Sequence, residues 1–235
     1  MSTSGNTIYQ VDRDVIIKAA LRKLGVLAKG QEPDADDIDD AAVALNMIVA
    51  EFRSIGMPLW ARKTYTFTPV LNTKTYQIGI GKTFNTPYPL HVLQAYRTDS
   101  TSTTKIFMEI VSNFNYNLYP TNSGGTPIQL NYQPFINYGE INIWPTPDSA
   151  AVAYSTITIV YQAPFEYFDS STDTMAFPEE WYNAIVYNLA NNLAPEWTIP
   201  LQDRQMLQAQ AKQHLETAKE NGVEDGSFFI QPTKQ

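Results

Sequence analysis

Apolar positions fall at two different spacings along this chain, and the change from one to the other divides it into three stretches. From Asp14 to Leu27, Ile17, Ala20, Leu21 and Leu24 follow the three-and-four spacing of one helix face, with Gly25 and Gly30 at its end. A longer helix is predicted from Pro33-Asp34 onward, carrying Ile38, Ala41, Leu45, Ile48, Phe52 and Ile55, and Gly56 and Pro58 stop it.

After Trp60 the spacing drops to two: Tyr65 and Phe67, Tyr76 and Ile78, Ile128, Leu130 and Tyr132, Ile141 and Ile143, then Ile157, Ile159 and Tyr161. Turn-forming runs such as Leu71-Asn72-Thr73, Ser123-Gly124-Gly125 and Pro145-Thr146-Pro147-Asp148 separate these strands. An antiparallel sandwich or barrel-like sheet is therefore expected from about Lys63 to Pro164, interrupted by a short helix near Ser112 to Tyr119. Helical spacing returns at Phe177-Pro178-Glu179-Glu180, where proline and two acids suit a first turn, and continues through Trp181, Ile185, Leu189 and Leu193 to Pro195. Pro200 opens a last helix, with Leu207, Ala211, Leu215 and Ala218 inward and Asn221-Gly222 closing it.

Neither helix pair can bury its apolar face alone. The expected fold is α+β: residues 1–62 and 175–222 form one discontinuous helical bundle, residues 63–174 an inserted antiparallel β domain, and residues 223–235 an extended C-terminal tail. At 235 residues the chain is long enough for one or two cored domains.

Composition removes several classes of function. There is no Cys, so disulfides, thiolate nucleophiles and Cys-held metals are excluded. The polar opening Met1 to Gln10 is not expected to be a secretory signal, and no apolar run reaches bilayer length. A net charge of -8 argues against a phosphate-gripping surface. The 14 Tyr suit either strand faces or large protein interfaces.

Catalytic patterns are weak. Gly79-Ile80-Gly81-Lys82-Thr83 resembles the end of a phosphate loop, but Tyr76 stands where the first Gly is needed and Pro87 and Pro89 follow instead of a helix, so a hairpin turn is expected. His91 and His214 lack metal-binding spacing; His91 is expected to be a partly buried sheet residue and His214 to be solvated. No G-x-S-x-G elbow occurs. Glu166 with Asp169, or Glu179 with Glu180, could serve as a glycosidase carboxylate pair; a loop and a helix start explain the same residues.

Two features point outward. Glu32, Asp34, Asp36, Asp37, Asp39 and Asp40 place six acids in nine residues, as a solvated helix start, a dock for a basic surface, or a lining past which DNA slides. In the tail, Phe228, Phe229 and Ile230 form an apolar cluster with no periodic partner, expected to insert into a neighbouring subunit or partner, or to pack back on their own domain.

Asp14-Val15-Ile16, Ala19-Ala20-Leu21, Leu24-Gly25-Val26, Leu45-Asn46-Met47 and Leu59-Trp60 resemble the opening of the phage head-to-tail adaptor family, also called head-completion or tail accessory factors. Further on, Ile141-Asn142-Ile143-Trp144-Pro145-Thr146-Pro147 and Phe177-Pro178-Glu179-Glu180-Trp181 through Asn188-Leu189-Ala190 and Asn192-Leu193-Ala194 resemble its later strand and helix. The resemblance implies a structural virion protein at the neck, assembled in the host cytoplasm, without cofactor, metal or membrane. It implies a ring of about twelve subunits beneath the portal protein, with nozzle or tail-tube proteins below and DNA passing through without sequence-specific binding. It further implies that the C-terminal extension reaches the portal or a neighbour. Some relatives are reported as wall hydrolases; no such motif maps onto residues of this chain, and a peptidoglycan-cleaving glycosidase is the alternative expectation.

Overall fold

The computed structural model describes residues 9–54, 61–99, 104–121, 123–175 and 177–220. Its contacts divide the chain into two compact units, one of Met1–Trp60 with Phe165–Gln235 and the other of Ala61–Pro164.

The first unit holds α1 (Arg13–Leu24), α2 (Ala35–Ser54), α5 (Tyr182–Leu193), preceded by a 3₁₀ turn at Glu179–Trp181, and α6 (Leu201–Glu220). Helix α1 carries Asp14 in its first turn and Arg22 and Lys23 in its last, charges that suit the helix dipole. Its stop is a Schellman motif: Gly25 takes φ 77°, its N–H donates to the Arg22 carbonyl, and the Val26 N–H reaches back to the Leu21 carbonyl. Helix α2 buries Ala41, Ala42, Leu45, Ile48, Val49 and Phe52.

Helix α5 is the most apolar, burying Ala184, Ile185, Val186, Leu189, Ala190 and Leu193, and it packs on α1, α2 and α6. Asn188 tightens the α5–α6 contact, donating to the Ala184 carbonyl at 2.7 Å and the Ala211 carbonyl at 3.5 Å. By contrast α6 buries only Leu207, Ala211 and Ala218, so most of its surface is polar and exposed.

The stretch Phe165–Met175 packs with these helices. Asn46 clamps it by donating to the Phe168 carbonyl at 2.9 Å and accepting from the Phe168 N–H at 3.0 Å. The Arg53 guanidinium lies 3.8 Å from the Tyr167 ring centroid and also donates to the Phe165 carbonyl. Phe165 and Phe177 meet at 4.5 Å, and Trp181 stands edge-on to Phe52 at 5.6 Å, so aromatic rings from early and late sequence share one core.

The second unit is a strongly curled mixed sheet in the order β1-β9-β3-β4-β6-β7-β2, made of β1 (Arg62–Phe67), β2 (Thr75–Ile78), β3 (His91–Asp99), β4 (Lys105–Ile110), β6 (Gln129–Phe135), β7 (Tyr138–Trp144) and β9 (Ser155–Gln162). Strands β5 (Gly124–Gly125) and β8 (Thr146–Pro147) form a separate parallel pair. Short helices α3 (Asn113–Tyr116) and α4 (Ser149–Tyr154) sit in connections, capped by the side chains of Ser112 and Asp148.

The curl realises the barrel-like alternative of the expected sandwich or barrel-like sheet, and the parallel pairings correct the expectation that every strand pairs antiparallel. The chain from β4 to β6 crosses over through α3 instead of turning back, so β4 and β6 meet in parallel, at Glu109↔Gln129 and Ile110↔Leu130. A single sheet curls around one core, in which Phe67, Tyr76 and Phe84 lie with Leu130, Ile141, Ile143, Ile157, Ile159 and Tyr161. Gly139 is required where β7 passes the Tyr132 ring, because a Cβ there would come within 2.7 Å of its Cζ.

Tyr132 donates its hydroxyl to the Pro89 carbonyl, and burial, with the neighbouring Tyr88, pushes its pKa far above the ordinary tyrosine value. Burial also raises Tyr76 and Tyr116. Each contributes stability that is complete below pH of about 10 and declines above it, because the unfolded chain ionises first while the folded phenols hold their protons. Denaturation midpoints should therefore fall as pH rises above about 10, and Tyr132→Phe should flatten that fall. An unchanged alkaline slope in the variant would remove Tyr132 from this role.

Candidate interaction surfaces

The acidic run begins before α2 and occupies its first turns, with Asp34, Asp36, Asp39 and Asp40 exposed and Asp37 half-buried. Glu32 pairs with Lys18 of α1, which ties the run to the preceding helix. Among the described residues, no group of three His, Asp or Glu could hold a metal ion. The structure adds what the periodic reading passed over: Val43 and Met47, in register with Asp36, Asp39 and Asp40, are 59% and 63% exposed. One face of α2 therefore runs from acidic to apolar while the opposite face fills the core. The signal was present as apolar residues off the core stripe.

In the β unit, two recesses share Lys74 and Thr121. Tyr119 and Trp144 stack at 4.8 Å along one wall, and the Trp144 indole N–H donates to the Pro120 carbonyl at 3.1 Å. Asp148, on the other side, accepts from the Ala151 N–H at 2.8 Å as a helix cap. One lysine and one capping carboxylate give no acid–base pair, and the aromatic wall suits a contact surface better than a reaction centre. A second exposed region lies on β4, where Phe107 is 70% exposed and Ile106 and Ile110 are each 40% exposed.

The residues considered for catalysis lie exposed, in a loop and in a helix-entry turn. Glu166 and Asp169 lie exposed, and the loop beside them is organised by Asp173, whose carboxylate accepts from the Asp169 and Ser170 N–H groups at 2.7 Å each. Glu179 and Glu180 are exposed in the turn that leads into α5. The glycine segment is a tight turn: the Lys82 N–H donates to the Gly79 carbonyl, Gly81 takes φ 73°, and the Lys82 ammonium rests 4.7 Å from the Tyr138 ring centroid.

The histidines exchange their expected settings. His91 is exposed at the start of β3, and His214 is half-buried, stacked on Tyr187 at 4.7 Å. Phe228, Phe229 and Ile230 lie outside the described residues.

Two observations from known proteins bear on these surfaces. The family model described as SU10 adaptor protein matches residues 14–226, which takes in both units of the fold. No curated protein matches the chain.

Proposed function

Since the chain belongs to the SU10 adaptor protein family, a phage head-to-tail adaptor family, we propose that it is the neck subunit through which a portal protein is joined to a tail. The observation that carries this reading is the continuous family match over residues 14–226, which spans helices and sheet alike and so concerns the whole assembly rather than a grafted module. The family is one of structural virion proteins.

In the finer reading, helices α1, α2, α5 and α6 act as one bundle that meets the portal and adjacent copies. The acidic-to-apolar face of α2 suits such a role, with Asp34, Asp36, Asp37, Asp39 and Asp40 docking a basic surface or repelling DNA along its path. The β unit receives tail proteins, and its Tyr119–Trp144 wall and exposed β4 supply contact area there. Copies related head-to-tail close into a ring of about twelve, with the DNA channel along its axis. Phe228, Phe229 and Ile230 lock the tail segment into the portal or the next copy.

Particles grown without this chain should contain packaged or leaking heads that carry portal but no tail, as seen by negative-stain microscopy. Normally tailed particles would overturn the adaptor role. The competing reading, a wall-cleaving glycosidase, requires a zone of lysis in a peptidoglycan gel that Glu166→Gln or Glu179→Gln abolishes.

A further inference from the structure

Strand β4 lies inside the curled sheet yet is only partly paired. On one side it pairs with β3 from Lys105 to Met108; on the other, β6 covers only Glu109 and Ile110. The Glu109 N–H donates to the Ile128 carbonyl at 3.0 Å and the Val111 N–H to the Leu130 carbonyl at 2.9 Å. Odd-numbered residues of β4 therefore turn their backbone groups away from β3. By the two-residue period of a strand, the N–H and C=O of Lys105 and Phe107 point the same way, and among the described residues no backbone group meets them.

Such an edge is a template for another strand unless a proline, bulge or charge blunts it. The run Lys105-Ile106-Phe107-Met108 contains no proline, its register with β3 is unbroken, and its one charge is Lys105. Lys105 itself leans over the Tyr96 ring at 4.6 Å. Ile106 and Phe107 point to opposite faces of the sheet and both are exposed, so an added strand would gain apolar contact on each face.

We propose that this edge accepts, as an added strand, the segment Ser227–Gln231 of a second copy of the chain; this rests on the reading of the tail as an assembly contact. The segment fits the edge by its own chemistry. Phe228, Phe229 and Ile230 give alternating apolar side chains to both faces, no proline intervenes before Pro232, and Glu224 and Asp225 upstream complement Lys105. Helix α6 is described as far as Glu220, and six residues, 221–226, separate it from the segment, a chain length that can span up to about 20 Å. A short added strand binds weakly alone, and repetition around a closed assembly makes it effective.

The test places p-benzoylphenylalanine at position 107 in the full chain, mixes light and ¹⁵N-labelled copies, assembles them on purified portal, irradiates, and maps the cross-links by mass spectrometry. Cross-links from position 107 to residues 225–235, in hybrid light–heavy pairs, are the expected result. Cross-links confined to one copy, or made to the portal or to other residues, overturn the proposal. In a second arm, Phe107→Pro removes the outward N–H without touching the β3 ladder. It should lower cross-linking from a photoreactive residue at Phe229 by about tenfold, where unchanged cross-linking overturns the proposal. If deletion of the tail abolishes assembly while position 107 cross-links elsewhere, the strand addition fails and the tail's wider role stands.

Discussion

Trp181→Ala is expected to destabilise the helical unit by about 3–5 kcal/mol, lowering its thermal transition by on the order of 10 °C. Trp181 is 4% exposed, stands edge-on to Phe52 of α2, and lies 6.0 Å from Phe177, which in turn packs on Phe165. Removing the indole opens a void that the surrounding rings, fixed to three separated parts of the chain, cannot refill. Trp181→Phe, which keeps most of the contact, should cost well under half as much. Calorimetry of the three proteins checks this, and an alanine variant that melts with the parent would show that the shared aromatic core does not hold the early and late helices together.

Deleting residues 223–235 is the change expected to have the largest effect on assembly. Helix α6 makes its buried contacts through Leu207, Ala211 and Ala218, all before the deletion, so the melting temperature and the far-ultraviolet circular dichroism should match those of the full chain. Stable attachment to the portal should be lost, because the Phe228-Phe229-Ile230 cluster that ties neighbouring copies together goes with the segment and single copies then meet the portal without the gain of a joined assembly. Co-sedimentation with purified portal checks it. A truncated protein that still sediments with portal would end the assembly role given to this segment.

Most helices were legible because their core stripes are long and their ends are marked. Ile17, Ala20, Leu21 and Leu24 are buried in α1 as the spacing predicts, and Gly25 stops that helix by adopting the left-handed conformation. The entry to α5 was legible in its proline and acids, although the first turn is 3₁₀ and α5 begins at Tyr182. Strand β4 was not legible. Lys-Ile-Phe-Met-Glu-Ile lacks alternation, since it is exposed on both faces and buries only Met108. The parallel contact of β4 with β6 depends on a crossover that no local pattern encodes.

Asn46 shows a different limit. A polar residue within the apolar run of α2 reads as surface, yet it is half-buried and holds the backbone of Phe168, distant in sequence. Surfaces were harder still: the acids of α2 announce themselves by composition and Val43 and Met47 only as apolar residues off the core stripe, whereas Phe107 becomes conspicuous only when the fold leaves it uncovered.

The central claim, that this chain joins a portal to a tail, is tested most directly by electron microscopy of the purified protein with and without its portal. The expected result is a closed ring of the chain bound to one end of the portal, with continuous density around a central channel. A protein that stays apart from the portal as a lone monomer under assembly conditions would contradict it.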